Sequence, residues 1–235
     1  MINHKQQQVS QLSDESGFTI IESLVAMLVV TILLAAIAPT IVIATATRVQ
    51  SKRVEQATQA ARTFIDGVKT GAVTAPTTTI APTGTLAGNL LNPSSTSMPP
   101  PTSSTSTSLY CVIKDINNNL TISNPDCTSN TSKIFYIQAV KITASTTSTD
   151  STGIPKDGYR LGIRVYRSDI DFTKTVYASD SSNRKTQNTF TGTLGDRQSP
   201  LVEMTTEIGS KNTSFNALCQ RLAITSSTTS NNACN

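Results

Sequence analysis

The chain has 235 residues, a formal net charge of +4, four cysteines and one histidine, and only 14% of its residues are charged. The single histidine is His4, so Ser-His-Asp and Cys-His catalysis and imidazole-ligated zinc sites are excluded from the rest of the chain. Ser and Thr make up about 28% of the residues, which is typical of exported proteins, and the small basic excess contains no run that would favour nucleic acid.

The first predicted element is a helix long enough to cross a membrane. From Ser23 to Thr47 the chain has 25 consecutive residues without a charge. At 1.5 Å per residue this segment exceeds the ~30 Å hydrocarbon core of a bilayer, and a buried helix of a soluble protein is rarely apolar on every face. An ordinary secretory signal is the alternative, since residues 44–46 fit an A-x-A cleavage site, but such signals have an apolar stretch of only ~7–15 residues.

The residues at the start of this helix form a specific motif. The sequence reads SGFTIIES, so that Gly17 is followed directly by Phe18 and, four residues later, by Glu22. An ionised carboxylate inside a hydrophobic helix costs a few kcal/mol, so Glu22 either lies at the headgroup boundary or has a function. The string GFTIIE at 17–22, followed by the apolar run, resembles the prepilin signature of type IV pilins and type II secretion pseudopilins.

The resemblance assigns roles to four residues. In that family a membrane peptidase cuts after the Gly and methylates the new amino-terminal Phe. By this resemblance, residues 1–17 are a leader peptide, Gly17 is the cleavage residue, and Phe18 becomes the methylated amino terminus. Glu22 is then the carboxylate that pairs with the amine of a neighbouring subunit during assembly, and Pro39 is a helix-bending proline found at the same distance from the junction in many pilins.

The flanking charges do not follow the usual rule for membrane orientation. The leader has a single Lys against Asp14 and Glu15, whereas leaders of the family are usually more basic. Arg48, Lys52 and Arg53 follow the apolar run. Basic residues favour the cytoplasmic side of a membrane, so the larger number of Lys and Arg residues after the apolar run disfavours a cytoplasmic amino terminus. The cleavage motif favours a cytoplasmic amino terminus, and we give it the greater weight.

Beyond the apolar run, the pattern predicts that the helix continues with one buried face. Apolar residues recur at spacings of three and four, as expected for a stripe that packs on another element: Val54, Ala57, Ala61, Phe64 and Val68. Gly71 favours a helix end, and Pro76 prevents continuation. We therefore predict a helix over about 18–70, with a membrane span at about 18–46 and a second half that packs on a sheet.

Residues 71–108 are predicted to form a Ser/Thr/Pro-rich loop with little regular structure. From 74 to 108 this segment has no charge, and residues 99–101 are three consecutive prolines. A proline run favours extended polyproline geometry, and the many hydroxyl groups resist burial. An O-glycosylated, mucin-like stretch is the alternative to an unmodified, solvated loop.

The remaining residues, 109–235, are predicted to form a β-rich head. Segments rich in β-branched and aromatic residues lie at 109–116, 133–143, 159–168 and, more weakly, 173–179. In the third segment the apolar residues from Tyr159 to Val165 alternate with Arg160 and Arg164, which is typical of a half-buried strand. A small antiparallel sheet that packs on the helix stripe would bury both apolar faces.

The four cysteines predict two disulfide bonds in the head. Cys111 and Cys127 are separated by 15 residues, and Cys219 and Cys234 by 14. Three connectivities are open, and pairing within each local pair is the simplest. Each local bond would close a loop that stabilises the fold by up to ~3 kcal/mol in the chain-entropy model.

One metal-like pattern follows the first strand of the head. Asp115, Asn117, Asn119 and Asp126 partly match the spacing of an EF-hand calcium loop, but Leu120 stands where that loop requires a glycine. A hairpin turn at 117–119 explains the same residues. We assign no metal, cofactor or catalytic residue to the chain.

Together these features predict an α+β, pilin-like fold, in which a long amino-terminal transmembrane helix packs on a small antiparallel β-sheet. The resemblance implies a minor pilin or pseudopilin, a membrane-anchored structural subunit of a type IV pilus-like or type II secretion-like filament that serves polysaccharide secretion or motility. The general character of the carboxy-terminal sequence, although no specific motif, is similar to that of pseudopilins of cyanobacterial polysaccharide-secretion systems. The alternatives are a major, fibre-forming pilin and an anchored or secreted adhesin unrelated to pili.

The resemblance also implies the partners and the location of the chain. The partners are other pilin or pseudopilin subunits, the prepilin peptidase, an inner-membrane assembly platform and membrane lipid, with no nucleic acid. The chain would cross the inner membrane once, with its head domain periplasmic, or extracellular after assembly.

Overall fold

A computed structural model describes residues 19–81, 97–106, 109–117, 119–123, 127, 132–143, 148–151, 153–180, 183–187 and 195–215. The chain divides into two compact units, Met1–Thr45 and Ala46–Asn235. The boundary between the units falls within one long helix of the described residues. The predicted leader, 1–17, lies outside the described residues.

Helix α1 spans Ile20–Thr70 and contains 51 residues. Thr19 precedes it, and the Thr19 hydroxyl accepts a hydrogen bond from the Glu22 N–H at 3.3 Å, as expected for a residue that caps a helix. The described helix therefore begins two residues after the predicted start at Phe18, which is not among the described residues. The predicted end at Thr70 agrees with the structure, since Gly71 follows with a positive φ of 76° that glycine adopts without steric cost.

The described residues of the second unit contain six strands: β1 Thr79–Ile80, β2 Leu109–Lys114, β3 Leu120–Ser123, β4 Lys133–Ile142, β5 Tyr159–Arg167 and β6 Val202–Ile208. They form one sheet in the order β3-β2-β4-β5-β6, and the pairs along this path are antiparallel. The short strand β1 pairs in parallel with the end of β4. A long amino-terminal helix with a small antiparallel sheet is the α+β architecture that the sequence predicts.

The main core of the second unit lies between the end of α1 and one face of the sheet. The predicted stripe packs here, with Ala57, Ala61 and Phe64 fully buried. The Phe64 ring meets the Tyr110 ring edge-on, with centroids 4.7 Å apart. Burial raises the pKa of Tyr159, in the same core, to about 12, so that its hydroxyl stays neutral at physiological pH.

The other face of the sheet is also covered, which corrects the prediction that β5 is half-buried. Arg160 and Arg164 lie on this face and are 4% and 0% exposed. Arg160 Nε lies 2.6 Å from Glu207 Oε1, and Arg164 Nε lies 3.0 Å from Glu203 Oε1, so both guanidinium groups are neutralised by β6. In a strand with alternating apolar and charged residues, the charged residues are predicted to face solvent. This prediction is wrong for β5 because the neighbouring strand supplies the opposite charge.

The proline-rich segment supplies part of this cover. Met98 is buried against Val140 and Ile142. Its carbonyl oxygen accepts a hydrogen bond from Arg164 Nη1, and the Pro99 carbonyl accepts one from Gln138 Nε2 at 2.6 Å. Prolines lack an N–H but keep a carbonyl acceptor, so side-chain donors from the sheet can hold a segment that could not join it as a strand.

One predicted strand is absent from the structure, and three observed strands were not predicted. The weak candidate at 173–179 is irregular, and the Tyr177 N–H bonds to the Gln198 carbonyl at 2.9 Å within a loop. None of the predicted strand segments covers β1, β3 or β6, and β1 lies within the segment 71–108 that is predicted to be a loop with little regular structure. Strand β6 carries Glu203 and Glu207 on the face that the arginines occupy, so its sequence has little of the apolar alternation that marks a strand.

Candidate processing and assembly site

The structure describes some of the predicted site residues. Glu22 lies in the first turn of α1, and Pro39 lies in its interior. Gly17 and Phe18, the predicted cleavage and methylation residues, lie outside the described residues, as do Cys219 and Cys234. The helix continues through Pro39, where the carbonyl of residue 35 receives no N–H from the proline ring.

The first half of α1 presents an exposed apolar surface. One stretch of this helix is long and apolar enough to cross a membrane, and none of that stretch is buried. This distinguishes it from the core helix of a soluble protein, which would be mostly covered. The large apolar side chains that are exposed on it are Ile20, Ile21, Leu24, Val25, Met27, Leu28, Val29, Val30, Ile32, Leu33, Leu34, Ile37, Ile41, Val42 and Ile43.

The hydroxyl groups within this apolar half bond to the helix itself. The side chains of Ser23, Thr31, Thr40 and Thr45 donate to carbonyls three or four residues earlier, at 2.7–3.0 Å. A hydroxyl without a partner is costly in hydrocarbon, whereas these hydroxyls already have one. The apolar surface is therefore suited to lipid or to other apolar helices despite its polar residues.

Glu22 is the one ionisable side chain of α1 before Arg48. It is exposed, and within the described part of the chain no cationic side chain forms an ion pair with it. Its place in the first turn suits a carboxylate, because the amino-terminal end of a helix carries partial positive charge. The carboxylate is thus available to a cation from outside the described residues.

Comparison with protein families bears directly on this end of the chain. Residues 12–38 match the family described as the prokaryotic N-terminal methylation motif. The chain carries a pilin-type methylation motif. This motif is typical of type IV pilins and pseudopilins, and it implies processing by a prepilin peptidase and assembly with other pilin subunits. No curated protein and no solved structure matches the chain.

The motif and the exposed helix agree about the role of this region. The matched residues include Gly17, Phe18 and Glu22, and they extend to residue 38, well into the exposed half of α1. A methylation motif that leads into a helix of spanning length points to membrane anchoring.

In the head, Cys111 and Cys127 form a disulfide bond with a Cα–Cα distance of 5.4 Å. This is the first of the two local pairs predicted from the cysteine spacing. Both cysteines are buried on the second face of the sheet, beside Leu109 and Tyr136. The bond ties the segment after β3 back to β2, and it closes a loop that includes the β2–β3 hairpin.

The calcium-like pattern is a hairpin turn in the structure. Asp115 Oδ1 accepts hydrogen bonds from the N–H groups of Asn117 and Asn119, both at 2.8 Å. The Asp115 N–H donates to the Asn119 carbonyl at 3.0 Å, which closes the turn between β2 and β3. The aspartate therefore caps the turn, as in the alternative reading of the sequence. Asp126 lies outside the described residues.

A polar contact between α1 and the loop before β6 is not predicted from the sequence. Gln50 is almost fully buried, and its Nε2 donates to Gln187 Oε1 at 2.6 Å. Gln187 Nε2 in turn donates to the Ser199 carbonyl at 3.0 Å. Glutamines at positions 50 and 187 carry no local signal that they pair, because the contact depends on the tertiary fold.

A cleft of about 380 Å³ lies close to this contact, between α1 and β6. Val54 and Thr58 line it from the helix, and Arg184 and Glu203 contribute from the opposite side. The Glu203 carboxylate is already bound to Arg164 and to the Ser179 N–H. The cleft therefore offers a mixed polar and apolar surface, and its one carboxylate is committed to the fold.

Proposed function

We propose that this protein is a minor pilin or pseudopilin, a membrane-anchored structural subunit of a type IV pilus-like or type II secretion-like filament. The observation that carries the proposal is the methylation motif at 12–38, which runs directly into an exposed apolar helix of spanning length. A filament subunit needs an apolar helix twice, first to hold its precursor in the membrane and then to pack against other helices in the filament. The first half of α1 can serve both purposes.

The proposed sequence of events begins at the leader. The peptidase cuts after Gly17 and methylates the amine of Phe18. In the membrane this amine and the Glu22 carboxylate are costly charges in an apolar environment. In a filament the amine of one subunit pairs with Glu22 of its neighbour, so the charges are compensated when the helices pack in the correct register.

The proposed location and partners follow from the same steps. The chain crosses the inner membrane once through the first half of α1, and the head lies in the periplasm, or outside the cell after assembly. An inner-membrane assembly platform, driven by a cytoplasmic ATPase that this chain does not encode, lifts the subunit out of the lipid. Polysaccharide secretion and motility are the processes that we propose for such a filament.

The proposal is tested by separating the membrane and sheared-filament fractions of cells that make the wild-type chain. We expect the processed chain in both fractions, and in the filament fraction as a small share of the total subunit. A chain that dominates purified fibres would instead be a major pilin. A chain that stays in the membrane and never enters cross-linked filaments would contradict the proposal and favour an anchored adhesin.

A further inference from the structure

A basic cluster occupies the first turns of α1 after the uncharged segment. Arg48, Lys52 and Arg53 place three cations within six residues, directly after Thr47. We propose that Arg48 and Lys52 bind the phosphate groups of anionic phospholipids and so fix the depth at which the helix leaves the membrane. This binding rests on the membrane anchoring of the proposed function, and it adds a lipid class to it.

The position of the cluster on the helix leaves two of its members open to the surroundings. Arg48 and Lys52 are four residues apart, so they lie on the same side of α1, and both are exposed. The residues that pack on the sheet, such as Ala57 and Phe64, lie on the opposite side of the helix. Arg53 is four residues before Ala57, so it lies on the side that packs on the sheet, and it is half-buried.

The cluster has no compensating acid within the described part of the head. The ion pairs found there are formed by other cations, Arg160, Arg164, Arg167, Lys174 and Arg197. Glu55 is the nearest acid that follows along the helix, and it forms no ion pair with Arg48 or Lys52. The positive charges of Arg48 and Lys52, which are both exposed, are therefore available to an anion from outside the described part of the chain.

The direction of the side chains favours an anion on the membrane side. In an α-helix the Cα–Cβ bonds tilt toward the amino terminus, which for Arg48 and Lys52 is the direction of the apolar segment. Long basic side chains extend further in this way, with the alkyl part along apolar surface and the charge at the headgroups. The two residues differ by about 6 Å along the helix axis, close to the ~5–7 Å thickness of one headgroup layer.

The chemistry selects anionic over zwitterionic lipids. A phosphate with net negative charge attracts both basic residues, whereas a zwitterionic headgroup offers an ammonium beside its phosphate. Each basic residue near an anionic surface strengthens binding about fivefold. Arg62 and Lys69 provide a matched control, because they are exposed cations on the same helix but lie further along it.

The test uses the full chain in nanodiscs that contain equal amounts of phosphatidylglycerol and phosphatidylcholine, and native mass spectrometry counts the lipids that stay bound. We expect wild type to retain phosphatidylglycerol about fivefold or more over phosphatidylcholine. The double variant Arg48→Gln/Lys52→Gln should retain the two lipids about equally, and Arg62→Gln/Lys69→Gln should behave as wild type.

Three results would overturn the proposal. One is a wild-type chain without lipid preference, and another is an unchanged preference in the Arg48→Gln/Lys52→Gln variant. The third is loss of the preference when excess inorganic phosphate is added, since the site would then bind a free anion equally well. A wild-type chain that enters filaments but lacks the preference contradicts only the lipid proposal, whereas absence from membranes and filaments contradicts the proposed function itself.

Discussion

The Glu203→Leu variant is expected to unfold at much lower denaturant concentration than wild type, with a loss of about 3–5 kcal/mol in the free energy of unfolding. Arg164 is 0% exposed and its partner Glu203 is 1% exposed, so removal of the carboxylate leaves a guanidinium group buried without its counter-charge. The Ser179 N–H, which also donates to Glu203, loses its acceptor at the same time. The measurement is urea unfolding of the full chain in detergent, followed by tyrosine fluorescence.

Two matched variants show whether the loss comes from the buried charge. Asp169→Ala removes the carboxylate from the more exposed pair with Arg167 and should cost less than about 1 kcal/mol. The double variant Arg164→Met/Glu203→Leu replaces both charges with apolar groups and should recover a large part of the stability. A cost below about 1 kcal/mol for Glu203→Leu alone would contradict our account of the second face of the sheet.

The Glu22→Ala variant is expected to be processed and to reach the membrane, but to be lost from filaments by about a hundredfold or more. In a single helix the glutamate can move toward the headgroups or take up a proton, so insertion does not depend on it. In a packed filament neither escape is available, and the amine of the neighbouring Phe18 would remain unpaired. Membrane and cross-linked filament fractions are compared for both proteins.

Ser23→Ala is the control for this experiment. It changes the adjacent residue, whose hydroxyl bonds to the Ile20 carbonyl within the helix, and it leaves the charge unchanged. This variant should enter filaments as wild type does. Normal incorporation of Glu22→Ala would refute the charge-pairing role, and its loss from the membrane fraction would show that Glu22 determines insertion instead.

Helix α1 could be predicted because its signals are local. Gly71 lies where the helix ends, and the stripe from Val54 to Val68 has the period of a helix that packs on one side. The β2–β3 turn is local in the same sense, since Asp115 caps it through residues only two and four positions away. Each of these features is decided by neighbours within a few residues.

The second face of the sheet could not be predicted, because its contacts are distant in the sequence. Arg164 is 39 residues from Glu203 and 66 residues from Met98, both of which it contacts. Without the strand register, an arginine that alternates with apolar residues is read as solvent-facing. Strand β6 is not predicted for the same reason. Its glutamates can be buried only because β5 places arginines opposite them.

The predicted site residues rest on different kinds of observation. Glu22 and Pro39 lie on α1, where their chemistry can be argued from the helix and its exposed surface. Gly17 and Phe18 rest on the methylation motif, because cleavage is a property of the peptidase that reads the sequence. The contact between Gln50 and Gln187 depends on tertiary packing and has no sequence signal.

The most direct test of the central claim is the amino terminus of the mature protein, measured by mass spectrometry of the chain purified from wild-type cells. The account predicts a chain that begins at Phe18 and carries one methyl group on its amine. A Gly17→Leu variant should leave an uncut precursor in the membrane. A wild-type chain that begins at Met1, or at Thr47 after cleavage of an ordinary signal, would contradict the assignment to a pilin-like filament.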